Sequence, residues 1–472
     1  MARPIPFVGN PKQRDTTTAD QRFVNVLFEV DKNAGPGEYP VQCVKRPGLS
    51  TSTQPFGGAP TGRGMFIWPV TGDIYSVFGT STFVNTSTLF STMATSSGRV
   101  WFTPIHEATG SAKLMLCDGV DDYQILSTNV ITQFDEADDA QYPTPNLGSI
   151  VYLDGYLFHG QANGRIWNTA INTVSTYAAA DFITADTYGS DMEAIHIQKD
   201  QIIAFTKNRT EFFFNNGNPT NSPLLRIDQN SLGFGIAHKN TLAWAGEVAC
   251  FVSENASNGD GGRSVFIVQS LTKVSEVSGP HVNRMLANEG LSISSCSAWM
   301  ERVNGHLVYC LNLVSADRSY VFDVEAGMWS EWEDTTSSRF RAVSAASKNG
   351  KLYLQHATDG RIYTMEPTVY QDAGTNYEVV LQTPRSNFGT SRKKYETEVG
   401  VVGDTSTGSL TVQVSDNDYS SFSTVGTIHM STAFKNATRL GAFYSRAHRF
   451  VYAANGPFRA QAWLPEIKKG TG

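Results

Sequence analysis

The chain has no apolar run near the roughly 18 residues a membrane helix needs; Met65 to Val70 is typical of its longest. The opening Met1 to Phe7 lacks the apolar stretch of a secretory signal, so a soluble protein kept in a cytoplasm is the default expectation. Cysteine is scarce and uneven in number. Cys43, Cys117, Cys250, Cys296 and Cys310 show no C-x-x-C spacing, which excludes a local redox or zinc knuckle. Most sit in strand-like apolar runs such as Ala249-Cys250-Phe251 and are expected as buried free thiols. Helical periodicity is scarce too. The helix candidates are short, around Phe134 to Gln141 and His281 to Glu289, with an insertion expected around 275–300.

Catalytic motifs are equally missing. There is no G-x-S-x-G elbow, H-E-x-x-H or phosphate-binding Walker loop. Gly233-Phe234-Gly235-Ile236-Ala237-His238 starts like a dinucleotide fingerprint but lacks the third glycine and the helix, so a turn is expected. None of the nine histidines lies within five residues of another. Asp118-Gly119-Val120-Asp121-Asp122 and Asn258-Gly259-Asp260-Gly261-Gly262 offer oxygen ligands for calcium but match no EF-hand, and solvated hairpin turns are the simpler reading. Ser415 to Phe422 resembles an aspartate-box turn without its glycine and is expected to staple a hairpin. No cofactor is expected.

What the chain does have is 472 residues, 40% of them hydrophobic, with 41 glycines and 18 tyrosines. That composition favours turn-rich β structure in two or three domains or one repeat architecture. A hairpin unit recurs. Asp154-Gly155-Tyr156-Leu157-Phe158-His159 leads to Asn163-Gly164-Arg165-Ile166-Trp167, and Asn349-Gly350-Lys351-Leu352-Tyr353-Leu354 leads to Asp359-Gly360-Arg361-Ile362-Tyr363. Asn-Gly and Asp-Gly favour tight hairpin turns, and a recurrence every ~40–50 residues is that of four-stranded propeller blades. The expectation is all-β: a six- or seven-bladed β-propeller over 61–370, plus a β-sandwich-like platform module built from both chain ends, 1–60 and 371–472. An ordinary pair of β-sandwiches is the alternative.

Charge follows the same division. The chain carries 37 Lys/Arg against 44 Asp/Glu, a net charge of -7. Residues 1–60 hold seven Lys/Arg and five Asp/Glu (+2), residues 376–472 eleven and seven (+4), and residues 61–375 the remaining nineteen and thirty-two (-13). Clusters at Arg392-Lys393-Lys394 and Arg446 to Arg449 are candidates for contact with nucleic acid or an acidic partner surface; solvated strand edges are the alternative.

Gln21-Arg22-Phe23-Val24-Asn25-Val26-Leu27-Phe28-Glu29, followed by Lys45-Arg46-Pro47-Gly48-Leu49 and then Arg63-Gly64-Met65, resembles the opening of the tail hub, nozzle or tail accessory (packaged-DNA stabilisation) proteins of short-tailed bacteriophages. Gly148 to Leu157 and Ile203 to Phe214 are similar to that family's mid-propeller segments. The resemblance implies a non-enzymatic structural virion protein of the phage tail, assembled in the host cytoplasm. Its partners would be itself, as a hexamer, the portal-adaptor ring, tail fibre or tailspike proteins, and genomic DNA passing through without sequence-specific binding. Arg392, Lys393, Lys394, Arg446 and Arg449 are the candidate assembly interface. Two other classes stay open. A carbohydrate-active propeller would pair carboxylates with arginines in its funnel; a glycan- or receptor-binding adhesin would expose aromatics such as Trp329 and Trp332.

Overall fold

The computed structural model describes residues 4–8, 20–34, 39–50, 52–106, 112–185, 191–228, 231–254, 262–270, 273–433 and 435–469. Seven antiparallel four-stranded blades form a β-propeller, spanning 62–90, 101–134, 150–184, 192–226, 243–276, 297–331 and 342–366. They are numbered here as blades 1 to 7. The hairpin turns form because their residues accept a left-handed backbone. Asp154 and Gly155 have φ of 50° and 90°, Asn304 and Gly305 49° and 91°, Asn349 and Gly350 51° and 74°. Central strands of each blade are apolar on both faces, as in Gln201–Thr206, because blades pack on blades.

Blade 7 is completed from far away in the chain. Its own three strands end with Ile362–Glu366, and its fourth is Gly48–Leu49, paired antiparallel through Leu49 with Met365. The first strand of blade 7, Ala342–Lys348, packs against the first strand of blade 1, Gly62–Ile67, which closes the ring.

Outside the ring, two sheets pack face to face. One has the order Val26–Val30, Val41–Lys45, Arg459–Lys469, Lys394–Gly403, Asn436–Phe443, with Ile5–Pro6 added to Arg459–Lys469. The other continues blade 6 outward. Arg22–Val24 pairs parallel with Met328–Glu331 and antiparallel with Val379–Gln382, followed by Ala447–Tyr452, Ser409–Ser415 and Ser423–His429. Phe28, Cys43, Val399, Val401, Leu410, Val412, Phe450 and Trp463 fill the space between the sheets. This β-sandwich is called the end module below.

The only α-helix among the described residues is Pro280–Glu289, between blades 5 and 6, with Pro280 at its first position where a missing N–H costs nothing. The helix expected around Phe134 to Gln141 is not there. Asp135 and Asp139 each accept a hydrogen bond from the backbone N–H two residues on (Ala137, 2.7 Å; Gln141, 2.8 Å), local turns that outcompete a helix. All five cysteines are buried and free.

Candidate functional site

The first strands of all seven blades line a central cavity of about 490 Å³. It is crossed by aromatic rings. Trp101 of blade 2 and Trp244 of blade 5, from nearly opposite sides of the ring, stack at 5.3 Å and 11°. His196 of blade 4 lies 4.7 Å from the Trp244 ring, and the Arg99 guanidinium sits 4.2 Å over Trp101. Burial, with the Arg99 charge adding to it, pushes the His196 imidazole down to about 3, so it is neutral at ordinary pH. The axis of one propeller is therefore filled across its middle and is no passage for a duplex. Sequence reasoning missed these residues. The available signal was position: Arg99-Val100-Trp101 and Ala243-Trp244-Ala245 open blades, where alternation aims side chains at the axis.

Among the described residues Glu301 is the only carboxylate lining the cavity, and it accepts a hydrogen bond from the Ser347 hydroxyl at 2.8 Å. The carboxylate pair expected of a carbohydrate-active funnel is thus not assembled there. Trp329 and Trp332 are fully buried, so neither forms the exposed aromatic platform expected of an adhesin. The Asp118 turn is satisfied internally: its carboxylate accepts from the N–H groups of Thr95, Val120 and Asp121, while Asp122 binds His159 at 2.6 Å. The Asn258 to Gly262 turn lies outside the described residues, Gly262 excepted. Ser415 to Phe422 is a stapled hairpin turn, with Tyr419 N–H donating to Ser415 Oγ and Ser421 N–H to Asn417 Oδ1. Gly235 of the glycine-rich turn lies against the carbonyls of Thr206 and Lys207, leaving no room for a Cβ. Among the described residues, no group of three or more His, Cys, Asp or Glu could hold a metal ion. Burial pushes the Cys296 thiol up to about 12 and raises the other four as well, which suits core residues rather than nucleophiles.

The five end-module cations do not form one surface. Arg392 and Lys393 are exposed. Lys394 is fully buried, its Nζ donating to the carbonyls of Thr390 (2.8 Å), Arg392 (2.9 Å) and Tyr444 (2.7 Å). Arg446 is buried between Glu396 (3.0 Å) and Asp416 (2.8 Å), and His448 completes the cluster at 2.9 Å from Glu396. Arg449 is half-buried, bonded to Gln382 Oε1 at 2.8 Å and 3.5 Å over the Phe422 ring. The expectation that all five present one contact face is corrected for Lys394 and Arg446. On the strand Lys394–Gly403 alternate residues point inward, so Lys394 and Glu396 go to the core and Tyr395 goes out. The exposed set is instead Arg392, Lys393, Tyr395 (49% exposed) and Tyr444 (62%).

A model of the family described as bacteriophage P22 Gp10, beta-propeller, matches residues 4–370. The chain belongs to this family. It is a phage tail accessory β-propeller protein, which makes it a virion component. The family match spans the seven blades and the N-terminal strands; the end-module strands from Val379 onward lie beyond it. No curated protein matches the chain. Solved structures similar to it include a catalytically inactive virginiamycin B lyase from Staphylococcus aureus with quinupristin (9% identity, 66% of this chain and 97% of that one, TM-score 0.44). Others are the WD40 repeats of RRP9 (8%, 68% and 99%, 0.41) and the Cps50 (Swd1) beta-propeller domain of Myceliophteria thermophila (11%, 67% and 98%, 0.44).

Proposed function

We propose that this member of the P22 Gp10 family is a tail hub or nozzle subunit. Six copies form a ring below the portal-adaptor, continue the DNA channel between them, stabilise the packaged DNA and support tail fibres or spikes. The observation that carries this reading is the filled axis: with Trp101 and Trp244 stacked across it, a DNA path belongs to the space between copies and not to any one propeller. The charge distribution supports it. A wall drawn from residues 61–375, which carry thirty-two acidic against nineteen basic residues, makes few counterion-releasing phosphate contacts, so DNA slides rather than sticks. The end module supplies the contact to neighbours through Arg392, Lys393, Tyr395 and Tyr444, since tyrosine and arginine are enriched at interface cores. A permanent ring contact buries more than roughly 2,000 Å².

We also propose that the protein is not an enzyme, a reading supported by the single cavity carboxylate and the high-pKa thiols. Turnover of glycosidic, ester or phosphate substrates that Glu301→Gln abolishes would overturn it. For the ring, electron microscopy of the chain mixed with portal-adaptor complexes is the test. Six-fold rings seated on the adaptor are expected. Complexes that bind the chain without ring symmetry, or not at all, would refute the assignment.

A further inference from the structure

At the end of the axis where the first strands of the blades begin, a second pocket of about 280 Å³ opens beside Arg99. Its lining includes Arg63, Arg99, Arg339 and Arg341 and, among the described residues, contains no carboxylate. The four arginines differ in how far their donors are used. Arg63 is spent on the fold, donating to the carbonyls of Gly98, Gly79 and Thr95 and to the Thr95 hydroxyl. Arg339 has a long contact to Asp317 at 3.8 Å, and Arg341 one to Asp334 at 3.5 Å plus a bond to Ser337 Oγ at 3.2 Å. Arg99, like Arg339, has most of its donors unused. Of its five N–H groups one donates to the Leu242 carbonyl at 2.5 Å, its faces lie on Trp101 and Trp244, and among the described residues it has no acidic partner.

Arg99 is half-buried; a partly desolvated guanidinium without a counter-charge is costly, and arginine remains charged nonetheless. Burial lowers Arg99 to about 10 and lowers Arg63 as well, so both cations sit in surroundings that an anion would improve.

We propose that this pocket binds a small oxyanion of the phosphate class. Arg99 and Arg341 are its principal ligands, and Arg339 adds charge at the rim. Guanidinium groups suit the task because their planar donors match the spacing of two oxyanion oxygens. The pocket is recessed, with Arg99 wedged against the indoles, so a free anion reaches it and the backbone of a duplex does not. This assignment stands apart from the ring reading and survives its failure.

The test is calorimetric titration of the full chain with inorganic phosphate, against chloride at matched ionic strength. Saturable phosphate binding is expected, at least ~10-fold tighter than chloride. Arg341→Gln, at a partly exposed position that the fold tolerates, and Arg99→Gln should each weaken it about tenfold, while Lys393→Gln on the remote end module leaves it unchanged. No saturable heat with phosphate, or binding indifferent to Arg341→Gln, would overturn the site. So would salt-sensitive binding of a short DNA duplex, lost in Arg341→Gln, in the absence of phosphate uptake.

Discussion

Within blades 1 to 6 a strand pairs with the strand that follows it, and apolar side chains from neighbouring blades fill the gaps. In the end module the N-terminal strands pair with strands hundreds of residues away, Ile5–Pro6 and Val41–Lys45 with Arg459–Lys469 and Arg22–Val24 with Val379–Gln382, and buried ions stand at the joints. Arg46 binds Asp372 at 2.6 Å with both side chains nearly inaccessible, and its guanidinium lies 4.0 Å over Tyr377. Glu331 takes Arg22 at 2.7 Å where the Arg22–Val24 strand joins blade 6. Glu396 holds Arg446 and His448. Apolar packing tolerates small changes of register; a buried ion pair tolerates neither loss of a partner nor displacement. Local pairing thus builds the propeller, and the charged contacts fix how the chain ends attach to it.

The largest expected break lies in the end module. Arg446→Ala strands Glu396 in the core and should cost about 3–5 kcal/mol. Hydrogen exchange would register it as lost protection in Lys394–Gly403 and Ala447–Tyr452, with blades 2 to 4 unchanged. Equal loss throughout would mean that the two regions unfold as one.

The ring closure is the next target. A Cβ on Gly48 would run into the Gln371 backbone, so Gly48→Ala should cost about 2 kcal/mol. It should raise exchange selectively in Ile362–Glu366, the strand that Gly48–Leu49 completes.

A pH dependence should separate the regions further. His196 is held down at about 3, against about 6.5 in the unfolded chain, so its contribution is fully present above pH 6.5 and is lost as pH falls below it. Denaturant titrations should show the propeller weakening by up to about 1.4 kcal/mol per pH unit between pH 6 and 4, a slope that His196→Gln flattens. The smallest effect is expected at the surface. Arg392→Glu with Lys393→Glu should change stability by less than about 0.5 kcal/mol, yet weaken docking onto the portal-adaptor complex in a pull-down.

The same contrast explains what could be read from the sequence. The blades announce themselves through Asp154-Gly155 and Asn349-Gly350, because a hairpin is a local event governed by residues that accept positive φ. The seventh blade's outer strand is two residues long and flanked by Pro47, with nothing local to mark its partner. The buried Lys394 and Arg446 read as surface because charge runs usually are; their cores of carbonyls and carboxylates come from Thr390, Tyr444, Glu396 and Asp416, which no spacing rule connects. The four-arginine pocket was invisible for a similar reason. Residues 63, 99, 339 and 341 meet only after the ring has closed.

That closure also sets an order of events on the ribosome. Gly48–Leu49 is synthesised before any of the seven blades, but Met365 and Glu366, which it must meet, emerge more than 300 residues later. At ~5–20 residues per second the early strand waits on the order of tens of seconds, with its hydrogen-bonding edge unsatisfied. Blades 1 to 6 can assemble during that wait, each from its own hairpins. The nascent chain then holds an open arc whose two ends seek strands, and neighbouring nascent chains on one message are each other's nearest source of them.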